Sequence, residues 1–187
     1  MDIKQLFLSG CFEINSFVHT DSRGLFVKFC IDQAFREVGF SQDFAEEFFT
    51  ISKKHVLRGM HFQVPPKAQH KVIYCIRGRV LDVLFDLRIG SPTYLKSESK
   101  ELTGNQPILI YIPPGIAHGF LSLDEDSILL YKVSEGYSRE LDQGFRWNSF
   151  DYKWPIKTPI TSERDNGLPL LSDFVTPFIY EKLSYGK

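Results

Sequence analysis

The stretch Arg58-Gly-Met-His-Phe-Gln-Val-Pro-Pro-Lys-Ala-Gln-His-Lys71 places a histidine base, cations and amide groups between two strand-like runs. Similar polar groups follow in Pro113-Pro-Gly-Ile-Ala-His-Gly-Phe120, at Tyr131 and in the turn Ser162-Glu-Arg-Asp165. Few structural needs call for this mixture of side chains. We therefore predict that these segments meet in one polar pocket.

Short runs rich in β-branched and aromatic residues recur on both sides of this stretch, with turn residues between them. The dipeptide Arg77-Gly78 separates two of the runs and predicts a tight hairpin. This spacing favours an all-β fold, either an antiparallel sandwich or a small barrel. The runs are residues 25–31, 71–76, 79–87, 108–112 and 127–133.

The size of the chain, 187 residues, is that of one domain, and we assign residues 1–187 to a single unit. A net charge of -1 with scattered Lys and Arg disfavours nucleic acid and anionic membranes as partners. No apolar stretch approaches the roughly 18–20 residues of a membrane span, and the N-terminus lacks a signal-peptide pattern. Three widely spaced cysteines, Cys11, Cys30 and Cys75, argue against a disulfide framework and favour the cytoplasm.

Two segments outside the strand-like runs also have recognisable patterns. Residues 32–38 predict a short peripheral helix, because Asp32 can cap its first turn and Gly39 can close its end. After Gly144 the chain becomes rich in aromatic residues and turns. We predict that this C-terminal tail wraps the β-structure instead of forming a second domain.

The spacing of the polar segments resembles the two motifs of the cupin double-stranded β-helix, a jelly-roll barrel. These motifs correspond to His61-Phe-Gln63 with Lys71, and to Pro113-x-Gly-x-x-His118. A metal-binding cupin would offer His-x-His and a glutamate at the positions of Gln63 and Lys71. An ammonium group cannot ligate a divalent ion and would repel it, so we predict no metal site.

The pocket residues themselves suggest a reaction. A histidine such as His61 can remove a proton next to a carbonyl group, while the cation of Lys71 stabilises the enolate that forms. This is the chemistry of an epimerase.

A longer series of motifs resembles the family of dTDP-4-dehydrorhamnose 3,5-epimerases over residues 21–169. The motifs are Asp21-x-Arg-Gly-x-Phe26, Val56-Leu-Arg-Gly-Met-His-Phe-Gln63, Ala68-Gln-x-Lys71, Asp82-Val-x-x-Asp-Leu-Arg88, Ser91-Pro-Thr93, Ile112-Pro-x-Gly-x-Ala-His-Gly-Phe120, Tyr131-Lys132, Trp147-Asn148 and Trp154-Pro155.

The resemblance implies a cofactor-free enzyme that inverts carbons flanking the C4 ketone of a nucleotide-linked 6-deoxyhexulose. It implies that His61 is the general base, that Asp165 orients it, and that Tyr131 returns a proton from the opposite face. It further implies that Lys71 stabilises the enolate and that His118 lines the sugar site.

The resemblance also implies substrate contacts and a homodimer. Arg58 and Arg23 would contact the diphosphate, and Gln63 would bind the substrate. Arg23 and Phe26 would reach across from the partner subunit, by strand exchange near the N-terminus.

Several residues differ from the family pattern where the nucleotide would be recognised. Lys28 replaces a usual glutamate, Glu46 and Phe48 replace an amide pair, and Gly136 occupies an aromatic position. These differences leave the base open between thymine, cytosine and others. We hypothesise that Lys28 and Glu46 contact a different base or a different sugar.

Three other functions are compatible with parts of the pattern. A sugar-nucleotide 3,4-ketoisomerase would use related acid and base groups, and a non-catalytic carbohydrate-binding cupin would keep the pocket without the reaction. A metal-dependent cupin oxygenase is disfavoured by Gln63 and Lys71.

Structural roles are the alternatives for individual residues. Asp165 could cap a short helix after Ser162, and Tyr131 could belong to the core. We interpret Asp82, Asp86 and Arg88 as a structural ion network.

Overall fold

Antiparallel strands dominate the computed structural model, which describes residues 2–29, 35–36 and 43–181. They form a six-stranded sheet, a five-stranded sheet and a separate two-stranded hairpin. In spatial order the larger sheet contains β1 (Ile3–Gln5), β2 (Phe12–Asn15), β10 (Ile108–Ile112), β7 (Lys71–Arg77), β12 (Ser127–Val133) and β5 (Glu46–Ser52). The smaller sheet contains β13 (Asp142–Gly144), β6 (Leu57–Gln63), β11 (Ile116–Ser122), β8 (Arg79–Asp86) and β9 (Ser97–Thr103). The hairpin is β3 (Phe17–Asp21) with β4 (Gly24–Lys28).

The two large sheets pack face to face around an apolar interior. Successive side chains of a strand point to opposite faces, so alternate apolar residues of each sheet meet in this layer. The interior includes Ile73 and Leu129 from the larger sheet and Val80, Leu84 and Phe120 from the smaller one. The predicted all-β jelly-roll architecture is thereby confirmed.

The C-terminal tail covers the outer face of the smaller sheet. Phe150, Tyr152 and Trp154 pack against a cluster that contains Phe62 and Phe85. This face of the sheet would otherwise expose aromatic side chains to water. The tail therefore wraps the barrel, as its composition predicted.

Local predictions agree with the structure where the chain is described. Gly78 has a φ of 74° and joins β7 to β8, which confirms the hairpin. The predicted helix at residues 32–38 lies largely outside the described residues, although Phe35 and Arg36 are helical. The last residues of the predicted strand 25–31 also fall outside them, and β4 ends at Lys28. None of the described helices has the length and apolar content needed to cross a bilayer.

Two glycines bring β6 and β11 close together beside the polar pocket. Gly59 has a φ of 134°, and a Cβ atom there would lie 2.5 Å from the Cα of Gly119. The register of the two strands shifts between His118 and Phe120, a bulge that redirects the side chains around it. This close approach sets His61 opposite His118 in the pairing of the strands.

Candidate active site

A cavity of about 500 Å³ opens between the two sheets, and both sheets contribute to its walls. Strands β5, β7 and β12 supply one wall, while β6, β11 and the segment around residues 160–165 supply the other. The polar lining residues include Glu46, Arg58, His61, Lys71, His118, Tyr131, Arg164 and Asp165. The predicted pocket therefore exists, and it contains all four predicted catalytic residues.

His61 and Asp165 form a hydrogen-bonded pair at the base of the cavity. The His61 Nε2 atom lies 2.7 Å from the Asp165 Oδ1 atom. The Asp165 Oδ2 atom accepts a hydrogen bond of 3.3 Å from the Gly59 backbone N–H. Among the described residues, His61 Nδ1 has no hydrogen-bond partner, and it is the ring nitrogen available to accept a proton.

Asp165 is positioned by the short helix α1 (Glu163–Gly167). Ser162 caps this helix, because its side chain accepts a 3.0 Å hydrogen bond from the Asp165 backbone N–H. The capping role considered for Asp165 thus belongs to Ser162, and the Asp165 carboxylate is turned toward His61. Burial raises the pKa of Asp165, but the hydrogen bond from His61 and the neighbouring charges hold it below its ordinary value.

Lys71 lies on β7 next to an ion pair. Asp142 accepts a 2.6 Å hydrogen bond from Arg164, and the other Arg164 nitrogen lies 3.4 Å from His61 Nε2. Burial lowers the pKa of Lys71 to about 8, an effect that Asp142 opposes and Arg164 reinforces. The Lys71 ammonium group therefore loses its proton more readily than that of an exposed lysine, and it lines the same cavity as His61.

Tyr131 reaches the cavity from β12, on the sheet opposite His61. Its ring stacks on Phe48 at 4.8 Å between centroids and meets the edge of His118 at 5.9 Å. Burial and the nearby Asp82 carboxylate raise the pKa of Tyr131 well above its ordinary value. The phenol is thus protonated at neutral pH and can act as a proton donor.

His118 is held by Asp82, which the sequence suggested was part of an ion network with Asp86 and Arg88. The His118 Nε2 atom lies 2.5 Å from the Asp82 Oδ1 atom, and both side chains are buried. Asp86 and Arg88 do pair with each other, at 2.7 Å. Asp82 therefore belongs to the candidate site, whereas the Asp86–Arg88 pair lies apart from it.

Gln63 lines the cavity, and its amide is bonded to backbone groups at the rim. Its amide nitrogen donates to the Lys67 carbonyl oxygen at 2.7 Å, and its amide oxygen accepts from the Ser138 N–H at 2.9 Å. Only 4% of the residue is exposed. These bonds hold the rim of the cavity, and the contact of Gln63 with a substrate stays a prediction.

The predicted substrate contacts divide into two groups. Arg58 lies in the cavity wall, where its Nε atom donates to the Ser52 hydroxyl at 3.1 Å. Arg23, Phe26 and Lys28 are exposed on the β3–β4 hairpin and do not line the cavity of their own chain.

Glu46 and Gly136 are neighbours at the rim of the cavity, although ninety positions separate them in the chain. Glu46 Oε1 accepts a 2.9 Å hydrogen bond from the Tyr137 N–H, and a Cβ atom on Gly136 would lie 3.3 Å from the same oxygen. Glycine at position 136 therefore leaves room for the carboxylate. Two of the residues that depart from the family pattern thus form one local feature.

Sequence reasoning missed several lining residues. The quoted motifs did not include Asp142 or Thr50. They included Arg164 without assigning it a role, and Phe48 was noted only as a departure from the family pattern. Arg164 adjoins Asp165 in the turn, which was a usable signal. Nothing in the local sequence of Asp142 indicated that it would pair with Arg164.

Comparison with known proteins places the whole chain among sugar-nucleotide epimerases. Residues 5–173 match the family model of dTDP-4-dehydrorhamnose 3,5-epimerase. The chain is 37% identical over 175 residues to the dTDP-4-dehydrorhamnose 3,5-epimerase of Mycolicibacterium smegmatis, covering 92% of this chain and 87% of the relative. It is 32% identical over 176 residues to the dTDP-4-dehydrorhamnose 3-epimerase of Streptomyces niveus, covering 92% and 85% of the two chains.

A solved structure resembles the chain closely along almost its full length. The dTDP-6-deoxy-D-glucose-3,5-epimerase of Legionella pneumophila, crystallised with dTDP-4-keto-L-rhamnose, superposes with a TM-score of 0.90 at 27% identity. The superposition covers 96% of this chain and 98% of the other.

Proposed function

The chain belongs to the dTDP-4-dehydrorhamnose 3,5-epimerase family, and on this basis we propose how its residues carry out the reaction. The enzyme is an isomerase that inverts C3, C5 or both in a nucleoside-diphosphate 4-keto-6-deoxyhexose. We propose His61 as the base, Asp165 as its orienting carboxylate, Tyr131 as the acid and Lys71 as the enolate-stabilising cation. His118 lines the sugar site, and Arg58 binds the diphosphate.

The observation that supports this proposal is the placement of the His61 imidazole and the Tyr131 phenol on opposite walls of one cavity. His61 is on β6 of the smaller sheet and Tyr131 is on β12 of the larger sheet. Both side chains lie beside His118, since His118 pairs with His61 in the strand register and touches the Tyr131 ring. Inversion at carbon requires removal of a proton from one face and delivery to the other, which this arrangement supplies.

The steps balance without any further reactant. A C–H bond next to the C4 ketone breaks, its proton passes to His61, and its electron pair forms the enolate that Lys71 stabilises. The Tyr131 O–H proton is then delivered to the carbon from the opposite face. Solvent returns a proton to the phenolate and removes one from the imidazolium, which restores both side chains.

We predict that incubation in deuterated water labels each carbon that the enzyme inverts. The new C–H bond receives its hydrogen from a tyrosine hydroxyl that exchanges with solvent. NMR of the product from a dTDP-4-keto-6-deoxyglucose substrate measures both the label and the configuration, with other nucleoside diphosphates tested in parallel. A product without deuterium at C3 and C5, or with its ketone moved to C3, would contradict the proposal.

We also propose that two copies of the chain form a homodimer in which the β3–β4 hairpin serves the partner's cavity. The hairpin is paired with neither large sheet, and its surface is unusually apolar for an exposed element. Phe17, Leu25 and Phe26 are each at least half exposed, at 53%, 50% and 54%. Arg23 at its tip is paired with Asp21 and would supply a cation to a diphosphate bound in the partner.

A hybrid dimer tests this arrangement. We expect Arg23→Ala to weaken kcat/KM about 10-fold, the effect of losing one charged contact to a diphosphate. Mixing this variant with an inactive His61→Asn chain should restore one complete site per hybrid dimer, or roughly a quarter of all sites after random exchange. If Arg23 instead serves its own chain, the mixture will show no more than the averaged activity of the two parents.

The proposal extends to the domain organisation of the protein and its cellular compartment. We propose a single catalytic domain over residues 1–187 that works in the cytoplasm, where its three cysteines remain thiols. Burial raises the pKa of Cys75 to about 11 and that of Cys11 well above its ordinary value, which keeps both thiols unreactive.

A further inference from the structure

Phe48 occupies an unexpected place for a phenylalanine. It lies on β5, an edge strand, and its neighbours on the cavity side of that strand are the polar residues Glu46 and Thr50. Phe48 remains 44% exposed and does not belong to the buried core. A different reason is needed for an aromatic ring in a polar cavity.

The contact of Phe48 with Tyr131 supplies that reason. Phe48 and Tyr131 are directly opposite each other in the pairing of β5 with β12. Their rings stack at 4.8 Å between centroids with only 13° between their planes. The flat face of Phe48 therefore covers one face of the Tyr131 ring.

The Tyr131 ring is also held by a firmly anchored neighbour. The His118 ring meets Tyr131 at 5.9 Å and 68°, and His118 is itself fixed by Asp82 at 2.5 Å. His118 and Asp82 are 5% and 2% exposed, so this contact is set by the packed interior. Of the two aromatic contacts that Tyr131 makes within the described part of the chain, Phe48 is the more exposed, and its removal would open that side of Tyr131 to water.

We propose that Phe48 is a positioning residue, which holds the Tyr131 phenol in the orientation from which it delivers its proton to the sugar. This inference rests on the proposed function and concerns its second half. Removal of the first proton by His61 does not involve the Tyr131 ring. Delivery from the opposite face does, because a displacement of about 1 Å in a reacting group can cost about 10²-fold in rate.

The two halves of the reaction can be measured separately in deuterated water. When His61 removes a proton and returns a deuteron to the same face, the recovered substrate is labelled but not inverted. When Tyr131 delivers the hydrogen, the product is inverted. The ratio of labelled substrate to inverted product therefore reports how well Tyr131 competes, and a general loss of folded enzyme does not change it.

We expect Phe48→Leu, which keeps apolar bulk but lacks a flat ring, to raise this ratio about 10-fold with little change in KM. Phe48→Tyr retains the stack and should keep the wild-type ratio. Phe7→Leu is the matched control, since Phe7 is 62% exposed and does not line the cavity. If Phe48→Leu does not fold, Phe48→Met provides the same loss of a flat ring.

The possible results separate this inference from the proposed function. An unchanged ratio in Phe48→Leu, with or without a rise in KM, overturns the positioning role, and a rise in KM alone would make Phe48 a substrate contact. A raised ratio in Phe48→Tyr as well would also overturn it, because the stack would not be the cause. If the wild-type enzyme neither exchanges nor inverts, the proposed function itself fails.

Discussion

Replacing His61 by Asn is expected to lower kcat by about 10²- to 10⁴-fold, the contribution typical of a positioned general base. The amide cannot take up a proton, so the enolate does not form. Deuterium exchange into the recovered substrate should fall together with inversion, because both depend on the first proton transfer. Rates of inversion and of label uptake, measured by NMR on the same samples, check this result.

The companion change Asp165→Asn isolates the orienting role of the carboxylate. The amide has nearly the same shape as the carboxylate, but its NH₂ group can donate a hydrogen bond to His61 Nε2. In the wild-type site this nitrogen lies 2.7 Å from a carboxylate oxygen of Asp165. The ring would then be held in the wrong tautomer, and a comparable change in a catalytic triad lowers kcat by about 10⁴-fold.

Full deuterium exchange into the substrate by the His61→Asn variant would contradict the assignment of His61 as the base.

Replacing Lys71 by Met is expected to reduce activity and increase stability at the same time. Loss of a charge that stabilises an oxyanion typically costs about 10²- to 10³-fold in kcat. Burial lowers the pKa of Lys71 from 10.5 to about 8, so the folded protein holds the ammonium at a cost. Its removal should increase the free energy of unfolding by about 1–3 kcal/mol at neutral pH, or raise Tm by roughly 2–12 °C.

The stability difference between Lys71→Met and wild type should depend on pH. The unfolded chain keeps the Lys71 proton up to its ordinary pKa of 10.5, while the folded chain releases it near pH 8. The stability gap between Lys71→Met and wild type should therefore be full below about pH 8 and shrink as the pH rises toward 10.5. Wild-type kcat should decline over the same rise through pH 8, as the enolate loses its cation.

Lys53→Met is a suitable control, because Lys53 is exposed and lies outside the cavity. A surface change of this kind should alter the free energy of unfolding by less than about 0.5 kcal/mol and leave kcat unchanged. Two results together would show that the ammonium group is structural. The Lys71→Met protein would be less stable than wild type, and the kcat of the wild-type enzyme would not decline above pH 8.

Much of the fold was predictable because it depends on local patterns. Runs rich in β-branched and aromatic residues identified β7, β8, β10 and β12 close to their true bounds, and Gly78 identified the turn between two of them. The order of the strands was not predictable in this way. Neighbours such as β2 and β10 are distant in the chain, and their pairing depends on which faces can be buried together.

The candidate site was predictable where a motif carried its chemistry. His61, Lys71, Tyr131 and Asp165 were each identified by sequence, and they line one cavity. Gln63 was assigned to the substrate because it is polar and lies within a motif. The backbone groups that its amide also bonds, the Lys67 carbonyl and the Ser138 N–H, could not be inferred from spacing.

The order of residues along the chain was sufficient to specify a β-rich jelly roll and to assign an imidazole, His61, and an ammonium group, Lys71, to one pocket, since residue type and local composition are properties of the sequence. The pairings that tune those groups were decided only by the folded chain. Asp82 with His118, Asp142 with Arg164 and Phe48 with Tyr131 come from different strands or loops, and only sheet register and the close approach of β6 to β11 bring such groups within contact. Charge and ring contacts act over a few ångströms, so a sequence separation carries no information about them until the backbone has fixed the distances.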